Sequence, residues 1–153
     1  MAAAIAHADK HYLVVVADEA SAIFYTRDRR HGPLQKWRTF SNEAARMKIG
    51  ELIADRGGRS FDSHGQGRHT LTGEKAGPKK HIATVFAKQI AEGILADTQS
   101  GRCRGFALIA APRFLGELRS EISKLMTEEP YATVDKEVVG SDEAVIEKLL
   151  ERR

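Results

Sequence analysis

Two runs of consecutive apolar residues, Tyr12 to Ala17 and Gly105 to Ala111, constrain this chain more than any other feature. A strand that is apolar on both alternating faces must be covered on both sides, which requires a sheet with helices above and below it. The segments around these runs decide how such a sheet is wound. Asp18-Glu19-Ala20-Ser21 is a short polar turn leading into Ala22-Ile23-Phe24-Tyr25-Thr26, so the first two strands form a hairpin. Arg27 to Pro33 makes a second turn, and Leu34 to Phe40, with Trp37 among polar residues, reads as an edge strand.

Helices follow. Ser41 or Asn42 caps one that runs to about Asp55. Pro78 suits a first helical turn, and Ile82, Val85, Phe86, Ile90 and Ile94 recur at helical spacing behind it. Pro112 opens a helix with Phe114, Leu118, Ile122 and Leu125 on one face. Tyr131 to Val138 is the last strand, and Ser141 caps a terminal helix carrying Val145, Ile146, Leu149 and Leu150. The order β-β-β-α-α-β-α-β-α with right-handed crossovers gives a mixed α/β sheet of order 3-2-1-4-5, three antiparallel strands followed by two parallel ones. That is a ribonuclease-H-like arrangement. A doubly wound Rossmann sheet fits poorly, because no helix separates the first three strands.

The length of 153 residues fits one domain, 1–153 with its core at about 12–150. The N-terminal residues lack the charge and apolar pattern of a secretory signal, and no apolar run is long enough to cross a bilayer, so the expected location is cytoplasmic. The single cysteine, Cys103, reads as a small core or strand-edge residue.

Residues 56–81 stand apart as an inserted, glycine-rich basic loop. They hold six of the thirteen glycines and a local charge of +4, from Arg56, Arg59, Arg68, Lys75, Lys79 and Lys80 against Asp62 and Glu74, while the rest of the chain sums to −1. Such a loop favours an anionic partner. Arg59, Arg68, Lys79 and Lys80 are the candidate phosphate or RNA contacts, and Gly58, Gly65 and Gly67 are the positions where the backbone can approach an oxyanion closely. Lys79 and Lys80 at a helix start add to an anion site, or extend into water. His64, His69, His81 and Asp62 match no metal-binding spacing, so neither a metal nor another cofactor is expected. Asp18 and Asp135 lie at strand ends where a nuclease would keep metal carboxylates, but turn capping is the better reading of Asp18.

The segments VVVADEASAIFY, DRGGRSFDSHGQGRH and LIAAPRFLGELR, in this order, resemble the bacterial host attachment protein family, over about residues 12–150. That family is similar in fold to the middle domain of the archaeal and eukaryotic class-one peptide release factor, whose loop carries Gly-Gly-Gln and helps water attack peptidyl-tRNA. The resemblance implies a ribosome- or RNA-associated protein, with Gly65-Gln66-Gly67 in the comparable loop. If it hydrolyses peptidyl-tRNA, the resemblance points to the main chain at Gln66 as orienting water, with His69 in support. The family's name implies a different role, a non-enzymatic one in attachment to host cells, direct or indirect. A small-molecule phosphate or nucleotide binder is a third reading.

Overall fold

The computed structural model describes the backbone of residues 10–45, 47 and 65–151, and the side chains of the same residues except 65–80. Five strands form one sheet: β1 (His11–Ala17), β2 (Ser21–Arg27), β3 (Gln35–Ser41), β4 (Cys103–Ile109) and β5 (Ala132–Val134), in the order β3-β2-β1-β4-β5. β1 pairs antiparallel with β2, and β2 with β3, while β1, β4 and β5 run parallel. The expected mixed α/β sheet is the observed one.

The two apolar runs occupy adjacent central strands, with Val14 opposite Ala107 and Val15 opposite Leu108. Alternation sends Leu13, Val15, Ala17, Phe106, Leu108 and Ala110 to one face, and Val14, Val16, Ala107 and Ile109 to the other. The first face is covered by α1 (Gly65–Gln99) and α2 (Pro112–Leu125), and the second by α3 (Glu143–Glu151) through Ile146 and Leu150. Each fully buried Val, Leu, Ile or Phe contributes roughly 1.5–3 kcal/mol, so this two-sided cover is the main source of stability.

α1 packs through Ala83, Phe86, Ala87, Ile90, Ala91 and Ile94, the stripe that a period of 3.6 predicts. Its beginning differs from expectation. The helical backbone starts at Gly65, so residues 65–81 are not loop, and Pro78 lies inside the helix rather than in its first turn. Glycine opposes helix by about 1 kcal/mol and interior proline by about 3. Propensity therefore does not account for a segment containing Gly65, Gly67, Gly73, Gly77 and Pro78. Extending an existing helix avoids the nucleation cost and adds a hydrogen bond for most residues fixed, and the packed portion beyond residue 81 provides that nucleus.

Other departures are smaller. Leu34 does not join the edge strand; it is buried on the α3 face, and its N–H donates to Glu147 at 3.2 Å. β5 spans only three residues, because Asp135, Lys136 and Glu137 are exposed and continue as irregular chain. Val85 and Val145 sit on the exposed flanks of their helices, 42% and 43% accessible, rather than in the core. The first acceptor of α3 is the carbonyl of Asp142, which takes the N–H groups of Val145 and Ile146, one residue after Ser141. Asn42 does begin a helical turn, with Ala45 N–H donating to its Oδ1 at 3.4 Å; residues 46 and 48–55 of the expected helix lie outside the described residues. Pro112 occupies the first turn of α2 as expected.

Candidate functional site

Strands β1, β3 and β4 all end at the same edge of the sheet, since β3 is antiparallel to β2 and β2 to β1. In open α/β sheets the crevice beyond the carboxyl ends of parallel strands is the usual ligand position. Asp18 is the first carboxylate there. Its Oδ1 accepts the N–H groups of Ala20 and Ser21, both at 2.8 Å, and the Ser21 hydroxyl at 3.4 Å. The side chain is thus committed to holding the β1–β2 turn. Asn42 serves the same turn from β3: its side-chain amide donates to the Glu19 carbonyl at 2.9 Å and its N–H to the Ala20 carbonyl at 2.8 Å. Asp135 is exposed beyond the short β5.

Beside this turn an open groove of about 370 Å³ runs between the end of β3 and the middle of α1. Ser41, Asn42, Glu43 and Ala44 form one wall, and His81, Ile82, Val85 and Gln89 form the other. The exposed Val85 is explained by this position. Sequence periodicity placed it in the core stripe, and only the contact surface of the helix shows that it borders a groove instead.

The residues singled out in the sequence fall on the N-terminal side of this groove. Gly65, Gln66, Gly67, Arg68 and His69 are the first five residues of α1, and Lys79 and Lys80 immediately precede His81 on the same helix. The side chains of all seven lie outside the described residues, as do Gly58, Arg59, Asp62 and His64 entirely. At 1.5 Å per residue, a helix separates Gln66 from Lys80 by roughly 21 Å along its axis. The basic positions are therefore not gathered by one loop around one point. Lys79 and Lys80 also lie far inside the helix, where the backbone N–H groups are engaged, so the unpaired amides expected beside them are absent. Among the described residues no three His, Cys, Asp or Glu side chains converge as metal ligands, and no helix is long and apolar enough to cross a membrane.

At the opposite edge of the sheet, sequence reasoning missed a buried polar pair. His11 Nε2 and Asp97 Oδ2 are 2.8 Å apart, with the His11 ring edge-on to Trp37 at 5.6 Å. Asp97 was detectable: it falls seven residues after Ile90 and three after Ile94, on the buried stripe of α1. Cys103 lies beside Asp97, half-buried at the first position of β4, as its sequence context suggested. Burial, and then the charge of Asp97, push its thiol up to about 11, which keeps it protonated and unreactive.

The fold and edge geometry define a five-stranded mixed α/β protein with a long helix crossing one face of the sheet. Within that class, the chain belongs to the family described as protein required for attachment to host cells, whose model matches residues 13–150. Comparison with curated proteins gave no match.

Proposed function

We propose that this member of the host attachment family is a cytoplasmic, ribosome- or RNA-associated domain that acts through residues 56–81 and is related in action to the release-factor middle domain. The observation that carries the reading is the charge distribution: this segment holds +4 while the remainder of the chain holds −1. Spread along a helix, Arg68, Lys75, Lys79 and Lys80 suit an extended polyanion better than a single phosphate, which cannot span the roughly 18 Å from Arg68 to Lys80. RNA is therefore favoured over a free nucleotide as the anionic ligand. Any hydrolysis of peptidyl-tRNA would depend on Gln66, with His69 in support.

The test is binding of the purified protein to ribosomes and to tRNA at two salt concentrations, beside a variant with alanine at Arg59, Arg68, Lys79 and Lys80. Binding that weakens with salt and falls in the variant supports the reading. Equal binding by both proteins, or none, overturns it. If binding holds, peptide release that is unchanged by Gln66→Ala and by alanine at Arg68 and His69 removes the hydrolytic part alone.

A second reading rests on the family description itself, a requirement for attachment to host cells. On that reading the protein acts without catalysis. Cell fractionation separates a direct from an indirect role, because a protein confined to the cytosol cannot touch the host.

A further inference from the structure

At the N-terminal edge of the parallel strands, far along the sheet from the groove, Arg27 ends β2 opposite Tyr12 of β1. Its side chain belongs to a residue only 4% exposed, and among the described residues no carboxylate lies within ion-pair distance of it. A guanidinium has five N–H donors. One goes from Nη1 to the Gly32 carbonyl at 3.2 Å and one from Nη2 to the Tyr131 hydroxyl at 3.4 Å. Nε is buried and has no partner. A buried charge left without an anion, with one of its donors unsatisfied, is costly unless something compensates it.

The surroundings supply further donors. Tyr131 accepts from Arg27, so its own O–H proton is left to give. Arg30, an exposed residue of the β2–β3 turn, holds its guanidinium 4.7 Å from the Tyr131 ring centre and 5.7 Å from that of Tyr12. The two rings meet edge-on at 5.6 Å. Glu147 reaches this turn from α3 and accepts the N–H of Leu34 at 3.2 Å. Two arginines and a tyrosine hydroxyl thus gather, and although Asp28 lies between the arginines in sequence, neither arginine is ion-paired among the described residues, a donor set suited to an oxyanion.

We propose that Arg27, Arg30 and Tyr131 form a binding site for a phosphate group, distinct from the basic segment 56–81. Arg27 supplies the buried charge and the Nη donors that Gly32 and Tyr131 leave over. Arg30, held by its two aromatic neighbours, closes the site from the solvent side. The group can be free inorganic phosphate or the phosphate of a nucleoside monophosphate, and the two are separable by experiment.

The experiment is thermal unfolding and calorimetric titration of the full chain with inorganic phosphate and with adenosine monophosphate, against chloride at equal ionic strength. Phosphate should raise the midpoint above that in chloride. Arg30→Ala, at an exposed position, should weaken binding about tenfold. Arg27→Met, which keeps the apolar stem and removes the charge, should abolish it while unfolding in chloride no earlier than the parent. The variant with alanine at Arg59, Arg68, Lys79 and Lys80 should keep the effect, which separates this site from the proposed RNA contacts. Tighter binding of the nucleotide identifies a phosphate ester as the ligand, and equal binding identifies the free anion. No stabilisation beyond chloride, or an equal effect in Arg27→Met and Arg30→Ala, overturns the proposal.

Discussion

His11 Nε2 and Asp97 Oδ2 lie 2.8 Å apart, both side chains almost fully buried, and join the first residue of β1 to the last turns of α1 across 86 positions of sequence. The pair fixes where the long helix ends against the sheet, and β4 begins a few residues later with the His11 N–H donating to the Arg102 carbonyl at 2.7 Å. Asp97→Ala removes the carboxylate from an enclosed site, and the expected loss is about 1–3 kcal/mol of unfolding free energy. Chemical denaturation of the variant checks it. A midpoint unchanged from the parent would mean that the pair is not a structural tie.

Cys103 shares this enclosure. Its Sγ donates to the Gly105 carbonyl at 3.3 Å, and burial with the Asp97 charge raises the thiol from 9.0 to about 11. At pH 8 only about one thiol in a thousand is then ionised. Alkylation of the native protein should be slow at that pH and become fast on denaturation. The folded thiol holds its proton more tightly than the unfolded one, so its contribution to stability is fully present below about pH 9 and is lost as pH rises through about 11. Cys103→Ser, whose hydroxyl stays protonated throughout, should show a shallower fall over this window.

Much of this architecture was legible because it rests on local patterns with one physical meaning. The runs in β1 and β4 read as central strands, and turn capping, the better of the two readings of Asp18, is what its bonds to Ala20 and Ser21 show. The reading failed where a local signal competes with context. The glycines and proline of residues 65–78 mark a loop by propensity, yet the backbone there continues the helix nucleated farther along. Arg27 sat in a run of polar residues and read as turn, whereas the pairing of β2 with β1 carries it into a buried position that periodicity alone does not reveal. The candidate site was legible as composition and charge, but not as shape. Helical spacing and the groove beside His81 depend on tertiary neighbours.

Gly93 faces the two phenylalanines of the β2–β3 side. A methyl group there would stand 3.2 Å from Phe40 Cζ and 3.3 Å from Phe24 Cζ, and Phe24 is completely buried with its ring 4.9 Å from that of Phe40. Alanine gains about 1 kcal/mol of helix propensity, whereas overpacking costs about 1–3. Because Phe24 has nowhere to go, Gly93→Ala should be mildly destabilising. A rise in the melting midpoint would show that Phe40, on the edge strand, yields enough to admit the methyl.

Pro78 tests the continuity of α1. Its position inside the helix lacks the N–H that would bond the carbonyl of Glu74, and proline rings as a rule crowd the preceding turn of a helix. If the helical backbone runs through it, Pro78→Ala restores a hydrogen bond and should raise both the helical circular dichroism and the melting midpoint. In a loop the same change would loosen the unfolded and folded chain alike, with no gain in helix. Unchanged or reduced ellipticity would place a break at this position.

The spacing of charge along α1 sets a quantitative expectation for polyanion binding. Each phosphate neutralised by a lysine or arginine adds about 0.7 to the slope of log affinity against log salt for a single strand, and about 0.9 for a B-form duplex. If Arg68, Lys79 and Lys80 each meet a phosphate, replacing them one at a time should lower the slope by about 0.7–0.9 per residue, and replacing all three should lower it by roughly two to three. A single compact phosphate site predicts otherwise, because positions roughly 18 Å apart on one helix cannot all contact it and one substitution would remove most of the effect. Titration of a short RNA at four salt concentrations measures the slope directly. Equal, additive steps indicate a strand lying along the helix, and one dominant step indicates a local anion site.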